Sequence, residues 1–289
     1  MNWIRLDQQL LQWLSEDIGH GDQTTLGLQD LSQRQGQGTW VAKASGVVCG
    51  LLVARRVFHL LASHTPADAS VWFTPLVEEG TFVEAGTQIA ELGGTLSVLL
   101  TGERVALNIA MRLSGIATAA HRYAALIADL PAQLVDTRKT TPGLRSLEKY
   151  AARTGGAHNH RMGLDDSIMI KDNHIAAAGG IGPAIDQIRK RVPYPLSIEI
   201  ETETLEQVKT ALGYQVDIIM LDNMDLKDLK QAVELIRSTD GRVKIEASGN
   251  VSTESIRDIA LTGVDYISSS GPITRSAWLD LSMRLQASG

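Results

Sequence analysis

The feature that most constrains this chain is a regular alternation of strand-like and helix-like segments between residues 133 and 269. Short apolar runs predict strands over residues 133–137, 167–171, 196–200, 216–221, 244–247 and 265–269. Helical spacing predicts helices over residues 146–154, 181–191, 205–212, 226–238 and 253–261. Such alternation is typical of a parallel sheet with right-handed crossovers. Six strand–helix units between residues 133 and 269 favour a β/α barrel. A dinucleotide-binding fold is less suitable, because no G-x-G-x-x-G opens a helix after a strand.

The first 130 residues follow a different pattern. An apolar stripe that includes Leu6, Leu10 and Leu14 predicts an amphipathic helix over residues 3–18. Short β-prone runs at 39–43, 71–74 and 88–92 are separated by glycines and by one predicted helix near residues 51–63. Residues 102–129 are again helical in pattern. The chain thus contains two regions of different organisation.

Composition excludes several classes of protein. Apolar residues make up 44% of the chain, and no apolar run approaches the roughly 18 residues that a membrane span needs. The net charge of −6 argues against nucleic-acid binding, which needs a positive face. The single Cys49 excludes an intramolecular disulfide and a cysteine-based zinc cluster. The N-terminus has no recognisable export signal, so we expect a cytoplasmic protein.

Every predicted strand of the second region ends in polar or charged residues. In β/α barrels the active site is built at this C-terminal rim, so the pattern predicts a catalytic or binding site there. The strand-end segments are Asp136-Thr137-Arg138-Lys139, Lys171-Asp172-Asn173-His174, Glu199 with Glu201, Asp222-Asn223, Glu246-Ala247-Ser248-Gly249-Asn250 and Ser268-Ser269-Ser270-Gly271.

Strand alternation also predicts charges inside the barrel. Glu199 alternates with buried-type isoleucines, and Lys244 and Glu246 share one face of the fifth strand. Because a buried charge must be paired, we expect Glu199, Lys244 and Glu246 to form an internal ion-pair network.

The charges predict an anion site. Seven Lys or Arg and four acids lie between Arg138 and His174, in a chain that is negative overall. Arg145, Lys149 and Arg153 have helical spacing and fit a solvated helix face equally well. The cations at strand ends are better candidates, because a cationic rim recruits anions and Arg grips two oxygens at once.

Two acidic residues at other strand ends predict a metal site. Glu201 and Asp222 would repel a polyanion unless a divalent cation intervenes, and Mg²⁺ binds one or two carboxylates together with substrate phosphates. The glycine-containing ends Ser248-Gly249-Asn250 and Ser269-Ser270-Gly271 suit a phosphate, which barrels often bind after their last strands.

These motifs together resemble the quinolinate phosphoribosyltransferase (decarboxylating) family. The most specific part is the run from Asp136 to Arg145, followed by Glu148-Lys149-Tyr150-Ala151, Asn159-His160-Arg161 and Ile170 to Ile175. The similarity continues in Glu16-Asp17, Gly21-Asp22, Gly102-Glu103-Arg104, Asn108, Leu221-Asp222-Asn223 and Glu246-Ala247-Ser248-Gly249. It spans nearly the whole chain.

The resemblance implies an N-terminal α/β sandwich over residues 1–110 and an open, seven-stranded β/α barrel over residues 111–274. Residues 275–289 are expected to return to the first domain. Six strands are found here, and the seventh is not placed by the sequence. The resemblance also implies a homodimer whose active site is shared between subunits, and it leaves open a hexamer built as a trimer of dimers.

The implied reaction joins quinolinate to 5-phosphoribosyl-1-pyrophosphate and releases pyrophosphate and carbon dioxide. The product is nicotinate mononucleotide, an intermediate of NAD biosynthesis, and the metal is Mg²⁺, with no nucleotide, haem or flavin cofactor. By resemblance, the catalytic residues are Lys139, Lys171, Glu201 and Asp222, the last two with Mg²⁺. The implied substrate-binding residues also include Thr137, Arg138, His160, Arg161, Ser248, Gly249, Asn250, Ser269, Ser270 and Gly271, with Arg104 and Lys43 from the partner subunit.

Other functions fit the sequence less well. A metal-dependent hydrolase could use His158-Asn159-His160, but this motif precedes a predicted strand rather than following one. A relative that takes nicotinate or a pyrimidine would not need so many cations. A non-catalytic phosphate-binding barrel would not need Glu201 and Asp222. A flavodoxin-like phosphoribosyltransferase is disfavoured, because the segment Leu221-Asp222-Asn223-Met224 lacks the paired acids and Thr-Thr-Gly of that class.

Overall fold

The computed structural model describes residues 1–28, 31–65 and 69–287, and the chain forms two compact units. The first unit comprises residues 1–118 and 276–289, and the second comprises residues 119–275. Residues 288 and 289 of the predicted C-terminal return lie outside the described part. In that part of the chain, every helix is too short or too polar to cross a membrane.

The first unit combines helices with an antiparallel sheet. Its elements are α1 (Trp3–Ile18), α2 (Gln23–Gly27), β1 (Gln35–Ala42), β2 (Gly46–Val47), α3 (Leu51–Ser63), β3 (Val71–Pro75), β4 (Phe82–Val83), β5 (Gln88–Thr95), α4 (Leu96–Ala125, whose last residues belong to the second unit) and β12 (Leu281–Ala287). Four of these strands pair in the order β12-β1-β5-β3, and β2 pairs with β4.

The apolar stripes of the sequence explain this packing. Leu6, Leu10 and Leu14 are the buried residues of α1, which confirms the predicted stripe. Helix α3 packs against β3, where Phe58 stacks with Phe73 at a ring distance of 6.0 Å. An ion pair of 2.5 Å between Arg56 and Asp7 joins α3 to α1. The first unit is therefore an α/β layer with a conventional apolar core.

The second unit alternates strands and helices, which confirms the predicted alternation. Its elements are β6 (Gln133–Val135), α5 (Arg145–Thr154), β7 (Ile168–Ile170), α6 (Asp172–Ala178), α7 (Ile181–Arg189), β8 (Ile198–Thr202), α8 (Leu205–Leu212), β9 (Ile218–Asp222), α9 (Leu226–Thr239), β10 (Lys244–Ser248), α10 (Ile256–Ala260), β11 (Tyr266–Ser268) and α11 (Gly271–Thr274). The strands form a six-stranded, fully parallel sheet in the order β6-β11-β10-β9-β8-β7.

A single parallel bridge extends the sheet beyond β6. His158 pairs with Val135, and the backbone N–H of His158 donates to the carbonyl of Leu134 at 2.7 Å. The backbone N–H of Asp136 donates to the carbonyl of His158 at 3.0 Å. The segment around His158 thus lies beside β6 in the position of a further strand, reduced to one residue. The motif His158-Asn159-His160 precedes β7, as predicted, and its first residue carries this isolated bridge.

Candidate active site

The carboxyl ends of the six parallel strands surround a cavity of about 700 Å³. This is within the usual range for a small-molecule site. The parallel register aligns the carboxyl ends of neighbouring strands: Ser248 of β10 pairs with Asp222 of β9. The lining residues are Thr137, Arg138, Lys139, His160, Arg161, Met169, Lys171, Glu201, Met220, Asp222, Asn223, Glu246, Ser248, Gly249, Asn250, Val251, Ser268, Ser269, Ser270 and Arg275.

One part of the cavity is lined by guanidinium groups. The Nε atoms of Arg138 and Arg161 are buried and have no hydrogen-bond partner among the described residues. Burial lowers the pKa of Arg161, the charge of Arg138 lowers it further, and Glu199 opposes both effects. Two neighbouring guanidinium groups, each with a buried Nε–H that has no acceptor among the described residues, are a preformed site for an anion.

An ion pair joins the cationic and acidic parts of the cavity. The Nζ of Lys171 lies 2.7 Å from an Oε of Glu201. Lys171 also caps α6, because its backbone N–H donates to Nδ1 of His174 at 3.0 Å. Helix α6 was not predicted from the sequence, and it fixes the polar residues that follow β7. Asp222 lies at the end of β9 and accepts a hydrogen bond of 2.7 Å from Nδ2 of Asn223.

The ends of β9 and β10 form a tight backbone cradle. Gly249, Asn250 and Asn223 have φ values of +102°, +48° and +54°. The backbone N–H of Asn223 donates to the carbonyl of Ser248 at 2.9 Å. A Cβ at Gly249 would lie 2.2 Å from Oδ1 of Asn223, so only glycine fits there. This geometry explains why a glycine stands at this strand end.

A buried ion pair supports the first strand end. Lys149 is 0% exposed, and its Nζ donates to Oδ1 of Asp136. The other Asp136 oxygen accepts from Nδ2 of Asn159 at 2.6 Å, and the backbone N–H of His160 donates to Asp136 at 2.8 Å. Burial raises the pKa of Asp136 and lowers that of Lys149, and their pairing opposes both shifts. The reading of Lys149 as part of a solvated face is therefore wrong.

The predicted network inside the barrel has a different cation. Glu199 and Glu246 are 0% and 3% exposed, but Lys244 is exposed and lies 3.6 Å from Asp265. The expectation for Lys244 is wrong because it stands at the amino end of β10. His160 takes its place: its Nε2 lies 3.2 Å from Glu199 and 3.4 Å from Glu246. Burial lowers the pKa of His160, but hydrogen bonds and charge from the two glutamates outweigh burial and raise it to about 10.

The ligand atoms of His160, Glu199 and Glu246 lie within 4.8 Å of one another, so a metal ion must be considered. The backbone N–H of Arg161 donates to Nδ1 of His160 at 2.8 Å. A metal on Nε2 would leave this ring without a proton, whereas a metal-bound histidine normally donates its other N–H. The arrangement therefore suits a proton on Nε2. Glu201 and Asp222, at the rim, offer the hard carboxylate oxygens that Mg²⁺ prefers.

The structure brings most of the predicted site residues into this one cavity. Gly271 borders it through a hydrogen bond from its N–H to Oγ of Ser269, at 3.2 Å. Arg104 and Lys43 lie in the first unit and are exposed. Arg275 lines the cavity but was not predicted, because it follows the short helix α11 rather than a strand.

Comparison with known proteins shows the family of this chain. The family described as quinolinate phosphoribosyl transferase matches through its N-terminal domain at residues 22–114 and its C-terminal domain at residues 116–284. A protein of Synechocystis sp. named probable nicotinate-nucleotide pyrophosphorylase (carboxylating) is 56% identical over 283 residues, which cover 98% of this chain and 93% of that protein. A protein of Bacillus subtilis with the same name is 41% identical, over 98% of this chain and 94% of its own.

Solved structures give the same result. The crystal structure of NadC from Streptococcus pyogenes is 39% identical and superposes with a TM-score of 0.92, covering 100% of this chain and 99% of the other. The nicotinate-nucleotide pyrophosphorylase from Francisella tularensis is 34% identical with a TM-score of 0.88, over 98% and 96% of the two chains. The chain therefore belongs to the quinolinate phosphoribosyltransferase family.

Proposed function

We propose that this protein transfers the phosphoribosyl group of 5-phosphoribosyl-1-pyrophosphate to quinolinate, with loss of carbon dioxide, and so forms nicotinate mononucleotide for NAD biosynthesis. The observation that carries the proposal is one cavity that combines two guanidinium groups whose Nε atoms have no partner among the described residues, a pair of rim carboxylates and a glycine-containing cradle. These three parts match a dicarboxylate, a metal-bound pyrophosphate and a phosphate.

Quinolinate is the substrate that explains the guanidinium groups. Its two adjacent carboxylates need several cations, and Arg138, Arg161 and Lys171 line the cavity. Both Arg138 and Arg161 have a free, buried Nε among the described contacts. Arg forks bind carboxylates through two parallel hydrogen bonds. Nicotinate has one carboxylate and would leave part of this cluster unpaired.

Phosphoribosyl pyrophosphate explains the other parts. Its 5′-phosphate suits the cradle at Ser248-Gly249-Asn250 and the segment Ser269-Ser270-Gly271. Its pyrophosphate would bind Lys139 and a Mg²⁺ ion held through Glu201 and Asp222. The chemistry of these donors fits magnesium, since both are carboxylates at a solvent-accessible rim. When bound, Mg²⁺ neutralises charge that develops on the departing pyrophosphate.

The reaction needs no general base for its first step. The pyridine nitrogen uses its lone pair to form a bond to C1 of the ribose while the bond to pyrophosphate breaks. Glu201 and Asp222 would stabilise the cationic charge that appears on the sugar in the transition state. The nitrogen then carries a positive charge, so the electrons of the bond to the 2-carboxylate can remain at C2 as carbon dioxide leaves. C2 finally takes up a proton.

We also propose that the active enzyme is a homodimer in which Arg104 and Lys43 act in the partner's site, and that the dimers can assemble into hexamers. Arg104 and Lys43 are both exposed on the first unit, so they are accessible to a second subunit. Lys43 would supply charge to the pyrophosphate but not the two-pronged grip of an arginine.

A product assay tests the proposed function. The protein is incubated with Mg²⁺, phosphoribosyl pyrophosphate and either quinolinate or nicotinate, and the nucleotide is identified by mass. We expect nicotinate mononucleotide from quinolinate only. Lys171→Gln should lose this activity, whereas Lys190→Gln, an exposed control after α7, should retain it. Turnover of nicotinate in place of quinolinate would refute the proposal.

A further inference from the structure

Arg275 comes from a different part of the sheet than the other cations of the cavity. The Lys and Arg residues that line the cavity are Arg138, Lys139, Arg161, Lys171 and Arg275. The first four come from the ends of β6 and β7 and from the segment after the bridge at His158. Arg275 instead follows β11, at the end of the short helix α11. Of the lining residues that the structure describes, it is the one Lys or Arg that follows β10 or β11.

The two polar segments at the ends of β10 and β11 offer only neutral donors. Ser248-Gly249-Asn250 and Ser269-Ser270-Gly271 contain hydroxyl, amide and backbone N–H groups and no positive side chain. A phosphate monoester carries about −1.5 to −2 charges at neutral pH. Hydrogen bonds from an ionised donor are roughly twice as strong as those between neutral groups. A phosphate at these two segments would therefore bind more tightly with a cation beside it.

The guanidinium of Arg275 lies where the two segments meet. Its Nη2 donates to the carbonyl of Val251, the residue after Asn250, at 3.4 Å. Oγ of Ser269 donates to the same carbonyl at 3.4 Å, and the backbone N–H of Gly271 donates to Oγ of Ser269 at 3.2 Å. A Cβ at Gly271 would lie 3.1 Å from Nη2 of Arg275. One guanidinium nitrogen thus contacts both segments.

Most donors of this guanidinium are available to a ligand. Within residues 1–28, 31–65 and 69–287, Nε and Nη1 of Arg275 have no acceptor, and the bond of Nη2 to Val251 is long for a hydrogen bond. Hydrogen bonds from Ser252 and Thr253 lower the pKa of Glu254 most, and the charge of Arg275 adds the smallest contribution. The side chain of Arg275 is exposed to the solvent of the cavity. Its charge is therefore only weakly compensated by the protein.

We propose that Arg275 binds the 5′-phosphate of phosphoribosyl pyrophosphate and supplies the positive charge that the neutral donors of the two segments lack. The identity of this substrate rests on the proposed function, whereas a phosphate site at this guanidinium does not. The planar fork of arginine lets two of its N–H groups donate to two phosphate oxygens at once. The carboxylates of quinolinate bind at Arg138 and Arg161 instead, so the arginines of the cavity act on different substrates.

Ribose 5-phosphate isolates this contact, because it carries the 5′-phosphate and lacks the pyrophosphate. Its dissociation constant is measured by calorimetry without metal for the wild type, Arg275→Gln and Arg275→Lys. We expect Arg275→Gln to weaken binding at least about tenfold, since a charge-assisted hydrogen bond is lost. Arg275→Lys keeps the charge without the fork and should lie between the two.

A matched control removes the same charge elsewhere. Arg242 precedes β10, at the end of the strand opposite the cavity, and its side chain is 87% exposed. We expect Arg242→Gln to change the affinity for ribose 5-phosphate less than about twofold, because solvent screens a charge at this distance.

Quinolinate binding gives the reverse comparison. Arg138→Gln should weaken quinolinate binding at least about tenfold and change ribose 5-phosphate binding less than about twofold, the opposite of Arg275→Gln. In steady-state kinetics, Arg275→Gln should raise the KM for phosphoribosyl pyrophosphate about tenfold, while the KM for quinolinate stays within about twofold.

The outcomes separate this proposal from the proposed function. An unchanged affinity of Arg275→Gln for ribose 5-phosphate would overturn the phosphate site, and so would an equal loss of affinity for quinolinate. Failure of the wild type to bind ribose 5-phosphate at millimolar concentration would overturn it as well. If the wild type binds ribose 5-phosphate through Arg275 but forms no nucleotide from quinolinate, the proposed function fails and the phosphate site stands.

Discussion

The buried pair of Lys149 and Asp136 makes a strong prediction about stability. Lys149→Met removes the cation but keeps most of the side-chain volume. Lys149 is 0% exposed and Asp136 is 3% exposed, so the remaining carboxylate cannot reach water. Removal of one partner of a buried ion pair costs about 3–5 kcal/mol. Asn159 and the backbone N–H of His160 still donate to Asp136 in this variant. We therefore expect the free energy of unfolding to fall by an amount near the lower limit, about 3 kcal/mol.

The assay must report on the second unit alone. All five tryptophans lie in the first unit, at positions 3, 13, 40, 72 and 278, so tryptophan fluorescence follows that unit. Unfolding of the second unit can be followed by hydrogen exchange of amides in α5 and β6. In Lys149→Met we expect the free energy that protects these amides from exchange to fall by about 3 kcal/mol. For a unit of this size, the same loss lowers the melting temperature by about 6–12 °C.

The loss of stability caused by Lys149→Met should also depend on pH. Burial raises the pKa of Asp136, and without Lys149 nothing of opposite charge counters that rise. An acid with a raised pKa in the folded state stabilises the fold less as pH increases, so the defect of Lys149→Met should be larger at pH 8 than at pH 5. Arg153→Met, an exposed change on the same helix, should cost less than about 1 kcal/mol. Equal effects of the two variants would refute the assignment of Lys149 as a structural cation.

Three other predictions concern the cavity. Lys139→Gln should lower turnover more than about tenfold, which corresponds to about 1.4 kcal/mol of barrier, and steady-state kinetics with both substrates would show it. Gly249→Ala should raise the KM for phosphoribosyl pyrophosphate with little change for quinolinate, because its Cβ would collide with Asn223; equal KM changes would contradict the cradle assignment. Arg104→Gln and Asp222→Asn should each be inactive alone. If the sites are shared between subunits, each mixed dimer has one intact site of two, so an equal mixture with random pairing should recover about a quarter of wild-type activity; no recovery after subunit exchange would contradict sharing.

The fold of the second unit was largely predictable because its signal is local. Each strand is a short apolar run, and each helix has its own periodic stripe, so alternation alone indicated a parallel sheet. Helix α6 was missed because Asp172-Asn173-His174 resemble an irregular polar strand end, and the helix becomes visible only with the three alanines that follow. Strand β12 alternates apolar and polar residues, so its strand signal is also local.

The polar contacts of the site were less predictable, because they join distant segments. The solvated-face reading of Lys149 followed from helical spacing, but its burial depends on Asp136 at the end of another element. Strand alternation places Lys244 on the same face of β10 as Glu246. Lys244 is nevertheless exposed, because it is the first residue of the strand. The ion-pair partner of Glu199 and Glu246 proved to be His160, which lies two residues after the one-residue bridge at His158, where the sequence has no strand signal.

The most direct test of the account follows each carboxylate of quinolinate. The protein is supplied with Mg²⁺, phosphoribosyl pyrophosphate and quinolinate carrying ¹³C in the 2-carboxylate, and carbon dioxide, pyrophosphate and nucleotide are measured together. Electron withdrawal by the newly charged ring nitrogen predicts that all labelled carbon leaves as carbon dioxide, in equal amounts with pyrophosphate and nicotinate mononucleotide. Label retained in the nucleotide, or carbon dioxide released without phosphoribosyl pyrophosphate, would contradict the account.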